Sequence, residues 1–280
     1  MPSVLIAGLG YVGQPTAGLF VANGWQVEGW SRRSSSYPGI RTAAVDISIA
    51  AALQRDRAFD VVIQCASTRG GDVDDYGRVY LEGARNLRHA FPSALMIFVS
   101  STSVYAQADG GWVDEDSPAI PLRETGKVLR QAEDLILESG GIVARLAGIH
   151  GPARSFLLRS FLRGTPLQKE DRYVNQVHRD DIADALFLLA TDRAIRAAGS
   201  VFNIVDDEPI LRGECYRWLT QKLGPQPAGP ERMEATRKRS DSNKRVSNAR
   251  LRGVGWTPRF PTFASAMEDS ILPSFELTQR

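Results

Sequence analysis

The sequence contains few residues that form disulfides or bind metals. Among its 280 residues there are two cysteines and three histidines. The thiols of Cys65 and Cys215 stand far apart in the chain, and two scattered cysteines make neither a disulfide framework nor a metal cluster. None of the histidines has a partner at the spacing of paired metal ligands. These shortages predict a protein without structural disulfides and without a metal site.

The sequence also has little excess charge and no long apolar run. Lysine and arginine number 34, and aspartate and glutamate 32, so the formal net charge is +2 and the chain as a whole does not attract nucleic acid. No apolar run approaches the ~20 residues of a membrane span. The first residues are apolar, but glycines and Pro15 interrupt them and no basic leader precedes them, which predicts a core strand and helix rather than a signal peptide. We expect a cytoplasmic protein with no nucleic-acid or membrane partner.

What the sequence does contain is a glycine-rich turn near its beginning. Val4-Leu5-Ile6-Ala7 is an apolar run typical of a strand, and a glycine-rich hexapeptide and then a helical pattern follow it at once. The first glycine permits a tight turn, the second lets the backbone approach a pyrophosphate, and the third lets the helix pack against the strand. The helix N-terminus offers N–H groups to the phosphates. The turn predicts a dinucleotide site that includes Gly8, Gly10, Tyr11, Val12 and Gly13.

The second predicted strand, residues 25–30, ends in Ser31-Arg32-Arg33. An NAD-binding fold places an acidic residue here to bind the ribose 2′-hydroxyl. A hydroxyl with two guanidinium groups suits a 2′-phosphate instead, because arginine pairs with phosphate oxygens and a carboxylate would repel them. Ser31, Arg32 and Arg33 therefore favour NADP over NAD as the cofactor. The alternative is that both arginines are solvated loop residues.

Three further strands are predicted at residues 41–45, 60–66 and 94–99. Asp46 follows the first of them, where it either bonds an adenine amino group or caps a short helix predicted for 47–53. The alternation of strands and helices predicts an α/β protein with a Rossmann-type, doubly wound parallel sheet, in which ligands bind at the carboxyl ends of the strands. The predicted cofactor site therefore includes the residues where the fourth strand ends: Cys65, Ala66 and Ser67.

Four consecutive hydroxyl side chains, Ser100 to Ser103, leave the fifth strand ahead of Val104 and Tyr105. Either these hydroxyls bond the backbone of a polar strand end, or one of them contacts a substrate oxygen beside the nicotinamide. The position of the run at a carboxyl end of the sheet is what makes the second interpretation worth testing.

Together with other motifs in the same order, this run resembles the extended short-chain dehydrogenase/reductase superfamily, the NAD-dependent epimerase/dehydratase group. The resemblance covers most of the chain and implies that Ser101, four residues before Tyr105, is the catalytic serine, with Thr102 beside it and Ser103 toward the substrate. The motifs that carry it are the three glycines, Asp46, Ser100–Tyr105, Arg145–Pro152, Val177–Ala183 and Val201–Asp207.

The family's acid/base pair is a Tyr-x-x-x-Lys on the next helix, and this pair is missing from the helix predicted at 123–133. Alignment on the Ala-Glu pair that follows the family lysine places Thr125 at the tyrosine position and Leu129 at the lysine position. Alignment on Lys127 places Arg123 at the tyrosine position instead. We prefer the first register, with Lys127 still able to reach the ribose. Neither threonine nor arginine can take the tyrosine's role. This loss resembles the atypical branch of the superfamily, especially bacterial YeeZ-like proteins.

Two residues are candidates to replace the tyrosine in proton transfer. Tyr105 leaves the same strand as Ser101, and its alternative role is packing beneath the loop. His150 stands where the related pattern Gly-Ile-Tyr-Gly-Pro has a tyrosine, and it serves either as an acid/base or as a loop residue that packs or binds ligand. His178 is interpreted as structural. The candidate catalytic residues are Ser101, Thr102, Tyr105, Thr125 and Lys127.

Beyond residue 150 the pattern loosens and predicts a smaller lobe. We expect residues 1–150, rejoined by about 176–206, to form the NAD(P)-binding domain, and residues 151–175 and 207–280 to form a substrate lobe. Eight basic residues lie between 232 and 252. They make either a solvated loop or a pocket for an anionic substrate, whereas nucleic acid is disfavoured because no aromatic residues are interleaved. The candidate substrate contacts are Ser103, His150, Arg154, Lys244 and Arg245.

These features predict an NADP-dependent oxidoreductase of the extended or atypical type. Its substrate is expected to be a small hydroxyl or carbonyl compound, with a sugar- or nucleotide-linked compound also considered, and Ser101 is expected to hold the reacting oxygen. Two alternatives stay open: an NADP(H)-binding sensor without turnover, and an epimerase or dehydratase with a tightly bound cofactor. The resemblance also implies a homodimer formed through two sheet-flanking helices.

Overall fold

A seven-stranded parallel sheet forms the centre of the protein. The computed structural model describes residues 1–33, 35–53, 57–68, 70–167, 171–192, 194–195, 200–229 and 242–277. The strands lie in the order β3-β2-β1-β4-β5-β7-β11, which is the doubly wound order that reverses between β1 and β4. Their bounds are β1 Ser3–Ala7, β2 Gln26–Ser31, β3 Ile40–Ala44, β4 Val61–Gln64, β5 Leu95–Ser101, β7 Ile142–Leu146 and β11 Val201–Ile204.

Two groups of helices cover the sheet. Helices α1 (Gly13–Ala22) and α6 (Arg179–Thr191) pack against each other. Helices α2 (Val73–Tyr76), α3 (Gly83–Ala90) and α4 (Glu124–Glu138) form the other group. Most of the strands are short apolar runs buried on both faces, β4 and β7 completely, because helices on either side exclude water from them. The edge strand β3 is exposed or half-exposed along its length. The predicted α/β class and Rossmann-type sheet are confirmed.

Local structure departs from the sequence-based expectations in three places. The helix predicted at 47–53 is only a 3₁₀ turn, Ala50–Ala52. The helical connection expected between the fourth and fifth predicted strands is divided into α2, a π-helical segment at Gly77–Glu82, and α3. The helix predicted to end at residue 133 continues to Glu138, because Ile136 extends its buried face by one more turn.

Apolar side chains outside the sheet region form a second, separate cluster. It draws on helices α5 (Phe156–Leu162) and α7 (Arg212–Leu223) and on the segment from Phe263 to Ile271. The remaining elements are β6 Trp112–Val113 paired with β13 Arg245–Val246, β8 Gly148–His150 with β10 Gln176–His178, β9 Tyr173–Val174 with β12 Ile210–Leu211, and helix α8 Ala249–Gly253. Among the helices described, none is both long enough and apolar enough to span a membrane.

Candidate functional site

Two of the three glycines of the first turn are required by the protein's own packing. Gly8 has φ +120°, and a Cβ placed there would lie 2.3 Å from the backbone nitrogen of Ala66. A Cβ on Gly13 would lie 2.0 Å from the carbonyl oxygen of Gly8. The turn between β1 and α1 is thus pressed against the end of β4 on one side and against the first turn of α1 on the other. Neither position has room for a side chain.

Gly10 differs from its neighbours, because a Cβ there would meet no protein atom within 4 Å. Packing therefore does not explain why this position is glycine. A glycine at this position is explained by a pyrophosphate that approaches the backbone of the turn closely. The ten-residue helix α1 begins three residues later, so its N-terminal N–H groups face the same space. The residues present fit a dinucleotide.

Tyr11 and Val12 contact the protein rather than open space. Val12 is buried. The Tyr11 hydroxyl donates a hydrogen bond to the carbonyl oxygen of Pro152 at 2.9 Å, and burial raises its pKa to about 12. The guanidinium carbons of Arg154 and Arg179 lie 5.0 and 5.2 Å from the centre of its ring. Tyr11 therefore joins the glycine turn to the loop after β8 and places Arg154 beside that turn.

The end of β2 presents basic rather than acidic side chains. Arg32 and Arg33 are exposed, and the Ser31 hydroxyl donates to the carbonyl oxygen of Arg33. Asp46 lies nearby, after β3. Its Oδ1 accepts hydrogen bonds from the Ser48 backbone N–H at 2.9 Å and from the Ser48 hydroxyl at 2.7 Å. These bonds lower the pKa of Asp46, and the positive charge of Arg32 adds to the effect. Asp46 closes a turn rather than a helix.

The residues at the end of β4 pack against the glycine turn. The Cys65 N–H donates to the carbonyl oxygen of Ala7 at 2.8 Å, Ala66 lies under Gly8, and Ser67 is exposed. Burial raises the pKa of the Cys65 thiol to about 12, so this thiol stays protonated. The structure therefore brings the predicted cofactor residues of β1 and β4 to one edge of the sheet.

The hydroxyl run after β5 divides into two parts with different partners. The Ser100 hydroxyl is buried and donates to Glu133 Oε1 at 2.6 Å. Ser101 is half-buried, and its Oγ accepts from the Ser103 N–H at 3.1 Å, which starts the 3₁₀ turn Thr102–Val104. Thr102 is buried within that turn, whereas Ser103 is exposed. The run therefore places Ser101 and Ser103 at the carboxyl edge of the sheet.

Tyr105, a candidate for proton transfer, lies inside the protein rather than at the carboxyl edge of the sheet. Its side chain is 1% exposed. The hydroxyl donates to Asn203 Oδ1 at 3.0 Å and accepts from Arg145 Nη1 at 2.8 Å, and burial raises its pKa. The hydroxyl therefore both donates and accepts a hydrogen bond inside the protein. Tyr105 packs beneath the loop, the alternative considered for it.

A buried ion pair, which the sequence analysis missed, supports this tyrosine. Arg145 Nε and Nη2 donate to Glu133 Oε1 and Oε2 at 3.0 and 2.7 Å, and both side chains are almost completely buried. Burial by itself would lower the pKa of Arg145, but the hydrogen bonds and charge of Glu133 raise it. The sequence contained one indication of this pair: Glu133 lies on the apolar face of α4, between Leu129 and Ile136.

The residues aligned with the family's Tyr-x-x-x-Lys do not form an acid/base pair. Thr125 is half-buried at the start of α4, and Leu129 is buried. Lys127 projects into solvent, and its Nζ lies 2.6 Å from Glu124 Oε1. Lys127 follows the buried Gly126 and lies on the solvent-exposed side of the helix, and its role toward the cofactor ribose stays a prediction.

His150 and His178 face each other on β8 and β10, with ring centroids 5.9 Å apart. His178 is structural, because its Nδ1 accepts from the Asp180 N–H at the start of α6 and its Nε2 lies 2.9 Å from Ser270 Oγ. His150 is 1% exposed, and neither ring nitrogen has a partner among the described residues. Burial lowers its pKa to about 3, so the imidazole is neutral near pH 7.

The two basic residues proposed for the substrate lobe point in opposite directions. Lys244 is buried, and its Nζ donates to the carbonyl oxygen of Tyr105 at 3.0 Å. Arg245 is half-buried. It donates to the carbonyl oxygen of Gly110 at 2.9 Å, and its guanidinium carbon lies 5.1 Å from the Trp112 ring and 5.2 Å from the Tyr173 ring. Of the basic stretch before them, Arg237-Lys238-Arg239 lies outside the described residues.

Comparison with known proteins agrees with this geometry. The model of the NAD dependent epimerase/dehydratase family matches residues 4–127, which include the glycine turn and the hydroxyl run. Protein YeeZ of Escherichia coli (strain K12) is 30% identical over 247 residues, which cover 81% of this chain and 86% of YeeZ.

Two solved structures extend the comparison to the whole fold. One, from Methylobacillus flagellatus, is named as an NAD-dependent epimerase/dehydratase. It is 27% identical with a TM-score of 0.81 and covers 100% of this chain and 99% of its own. The human epimerase family protein SDR39U1, solved with NADPH, shares the fold at 20% identity and a TM-score of 0.76, over 95% of this chain and 98% of its own. The chain therefore belongs to the NAD dependent epimerase/dehydratase family, within the extended short-chain dehydrogenase/reductase superfamily.

Proposed function

We propose that this protein binds NADP(H) and acts as an oxidoreductase on a small hydroxyl or carbonyl compound. The observation that carries the proposal is the end of β2, where two exposed arginines follow Ser31 beside the glycine turn. The nearby Asp46 accepts a hydrogen bond from Ser48, and the positive charge of Arg32 helps to lower the pKa of Asp46. Guanidinium groups at this point favour a 2′-phosphate over a free 2′-hydroxyl.

Ser101 is the residue proposed to hold the reacting oxygen. Its Oγ accepts a hydrogen bond from Ser103, and among the described residues its hydroxyl hydrogen has no acceptor. This hydrogen is therefore available for a substrate oxygen at the carboxyl edge of β5. When bound, the cofactor supplies or accepts a hydride. The hydrogen bond from Ser101 would stabilise negative charge that develops on the substrate oxygen.

A second candidate function is an NADP(H)-binding sensor without turnover. The observation that favours it is that Tyr105 is fully engaged inside the protein while Lys127 projects into solvent and pairs with Glu124. The third candidate function is that of an epimerase or dehydratase with a tightly bound cofactor. A cofactor that stays bound during purification would distinguish this function from the other two. Replacement of Ser101 by alanine separates enzyme from sensor: lost turnover with unchanged cofactor affinity supports an enzyme.

The experiment that tests the cofactor is a titration with NADPH and with NADH, followed by nicotinamide fluorescence. Wild type is compared with Arg32→Ala/Arg33→Ala and with the control Arg85→Ala/Arg217→Ala, which removes two exposed arginines elsewhere. We expect the first variant alone to lose about tenfold or more in NADPH affinity, or about 1.4 kcal/mol, and to keep its NADH affinity. If wild type bound NADPH and NADH with equal affinity, the proposed preference for NADP would be wrong. Binding of neither would overturn the proposed function.

A further inference from the structure

Lys244 is a lysine inside the protein. It immediately precedes β13, the short strand that pairs with β6, and its side chain is 5% exposed. Its Nζ donates to the carbonyl oxygen of Tyr105 at 3.0 Å and to the hydroxyl of Ser242. The charged end of the residue is therefore turned inward, toward the segment that carries Ser101, rather than into solvent.

No carboxylate accompanies this ammonium group among the residues that the structure describes. The other two described lysines are exposed and ion-paired, Lys127 with Glu124 and Lys222 with Glu268. The partners of Lys244 among the described residues are all neutral oxygens, and burial lowers its pKa to about 8. A buried charge without a counter-charge is costly to the fold. Within the described chain, nothing of opposite sign offsets that cost.

The surroundings of Lys244 leave hydrogen-bonding capacity for a ligand. An ammonium group has three N–H donors, and two of those on Lys244 have partners in the described residues. Gln107 lies two residues beyond Tyr105, and its backbone carbonyl accepts from the Asn243 N–H at 3.3 Å. The side-chain Oε1 of Gln107 is buried and has no partner among the described residues. One N–H donor of Lys244 thus remains without a partner among the described residues.

This place is one tight turn away from the proposed catalytic serine. Ser101 begins the 3₁₀ turn Thr102–Val104, and the Tyr105 N–H bonds back to the carbonyl oxygen of Thr102 at 3.3 Å. The carbonyl oxygen of Tyr105 is the atom that holds Lys244. Ser101 and the carbonyl oxygen that holds Lys244 therefore lie at the two ends of the same five-residue segment, 101–105.

We infer that Lys244 binds an anionic group of the substrate, a carboxylate or a phosphate, while Ser101 contacts the reacting oxygen. This inference rests on the proposed function and names its substrate class as a small acid. The anion supplies a counter-charge that no described residue offers to Lys244. Arg245 does not share this role, because it turns away to Trp112 and Tyr173.

The test is quantitative reductive methylation of lysines with formaldehyde and an amine–borane reductant, both small and neutral, read for each lysine by peptide mass spectrometry. Only neutral amine reacts, so the rate against pH reports the titration of each lysine. We expect Lys244 to reach half its maximal rate near pH 8, because burial lowers its pKa. Inorganic phosphate and malonate are added separately at constant ionic strength, with sodium chloride as the reference. A bound anion that raises the pKa of Lys244 by about one unit would slow its methylation about tenfold.

Lys127 and Lys222, being exposed and already paired, are the internal controls and should not respond to either anion. Slowing by phosphate alone identifies a phosphorylated substrate, and slowing by malonate alone identifies a carboxylate. If neither anion slows the methylation of Lys244, or if Lys244 titrates as an ordinary lysine, the inference is wrong. Thermal stabilisation by the effective anion should be absent in Lys244→Met and present in Arg245→Gln.

The NADPH titration is run on the same samples. Cofactor binding without an anion effect at Lys244 overturns the inference and leaves the proposed function standing. An anion effect without cofactor binding overturns the proposed function, and with it the substrate assignment that rests on it.

Discussion

Arg145 and Glu133 meet in the interior of the protein through two parallel hydrogen bonds, Nε to Oε1 at 3.0 Å and Nη2 to Oε2 at 2.7 Å. The pair joins strand β7 to helix α4. Through Arg145 Nη1 it also holds Tyr105, whose carbonyl oxygen in turn binds Lys244. The loop that carries Ser101 is therefore supported from below by a continuous polar network.

Replacement of Glu133 by glutamine should strongly destabilise the protein. Arg145 would remain charged and buried without its counter-charge, which costs about 3–5 kcal/mol. The free energy of unfolding in urea measures the loss. Glu124→Gln is the matched control, since it breaks the exposed pair with Lys127 and should cost less than about 1 kcal/mol. Similar losses in the two variants would contradict the role assigned to the buried pair.

Tyr105→Phe should lower stability without altering cofactor binding. The substitution leaves Asn203 Oδ1 and one Arg145 N–H without their partner inside the protein, at a cost of about 1–3 kcal/mol. Urea unfolding and NADPH titration together check this. In Tyr76→Phe, the control, the hydroxyl removed has no hydrogen-bond partner among the described residues, so little change in stability is expected. A stable Tyr105→Phe variant would show that the network is not needed.

Three glycine-to-alanine substitutions should separate packing from ligand binding. Gly13→Ala meets the Gly8 carbonyl oxygen and should cost about 1–3 kcal/mol. Gly10→Ala meets no protein atom, so it should fold normally and lose NADPH affinity. Gly18→Ala, on the exposed side of α1, should be neutral or stabilising and should bind NADPH as wild type does. If Gly10→Ala bound NADPH as tightly as wild type, the close approach of a ligand would not be the reason for glycine at this position.

His150 should make the protein less stable in mild acid. Its pKa is lowered from 6.5 to about 3 in the folded state. Below pH 6.5 the unfolded chain binds a proton that the folded protein does not, so stability falls as the pH falls. The loss attributable to His150 should be about 2 kcal/mol at pH 5 relative to pH 7.

His150→Gln should remove that part of the pH dependence in urea unfolding, and His89→Gln, on the exposed side of α3, should not. Asp181 acts in the opposite sense, because burial raises its pKa to about 6 and the folded protein keeps a proton that the unfolded chain loses. The comparison with wild type cancels this contribution. An unchanged pH profile in His150→Gln would show that the imidazole takes up its proton in the folded state.

Local pattern predicted the packing of the glycine turn but not the partners of the residues proposed for catalysis. The glycine spacing predicted the tight turn at Gly8 and the close packing of Gly13, because both depend on residues nearby in the chain, whereas the contact of Gly8 with Ala66 depends on the fold. Tyr105 and Lys127, both proposed for catalysis, have other partners in the structure: Asn203 and Arg145 for Tyr105, and Glu124 for Lys127. Helical spacing gives the separation of side chains along α4, but it does not say which face the sheet covers.

The sequence by itself determined the strand and helix order, the nucleotide-binding turn and the basic end of β2, since these depend on residues close together in the chain. Only the tertiary structure decided that Tyr105 bonds Asn203, 98 residues away, and that Lys244, 139 residues away, bonds the Tyr105 carbonyl. Whether a polar side chain is a reactive group or a buried strut depends on which distant segments exclude water from it. That exclusion is a property of packing, which short-range patterns do not encode.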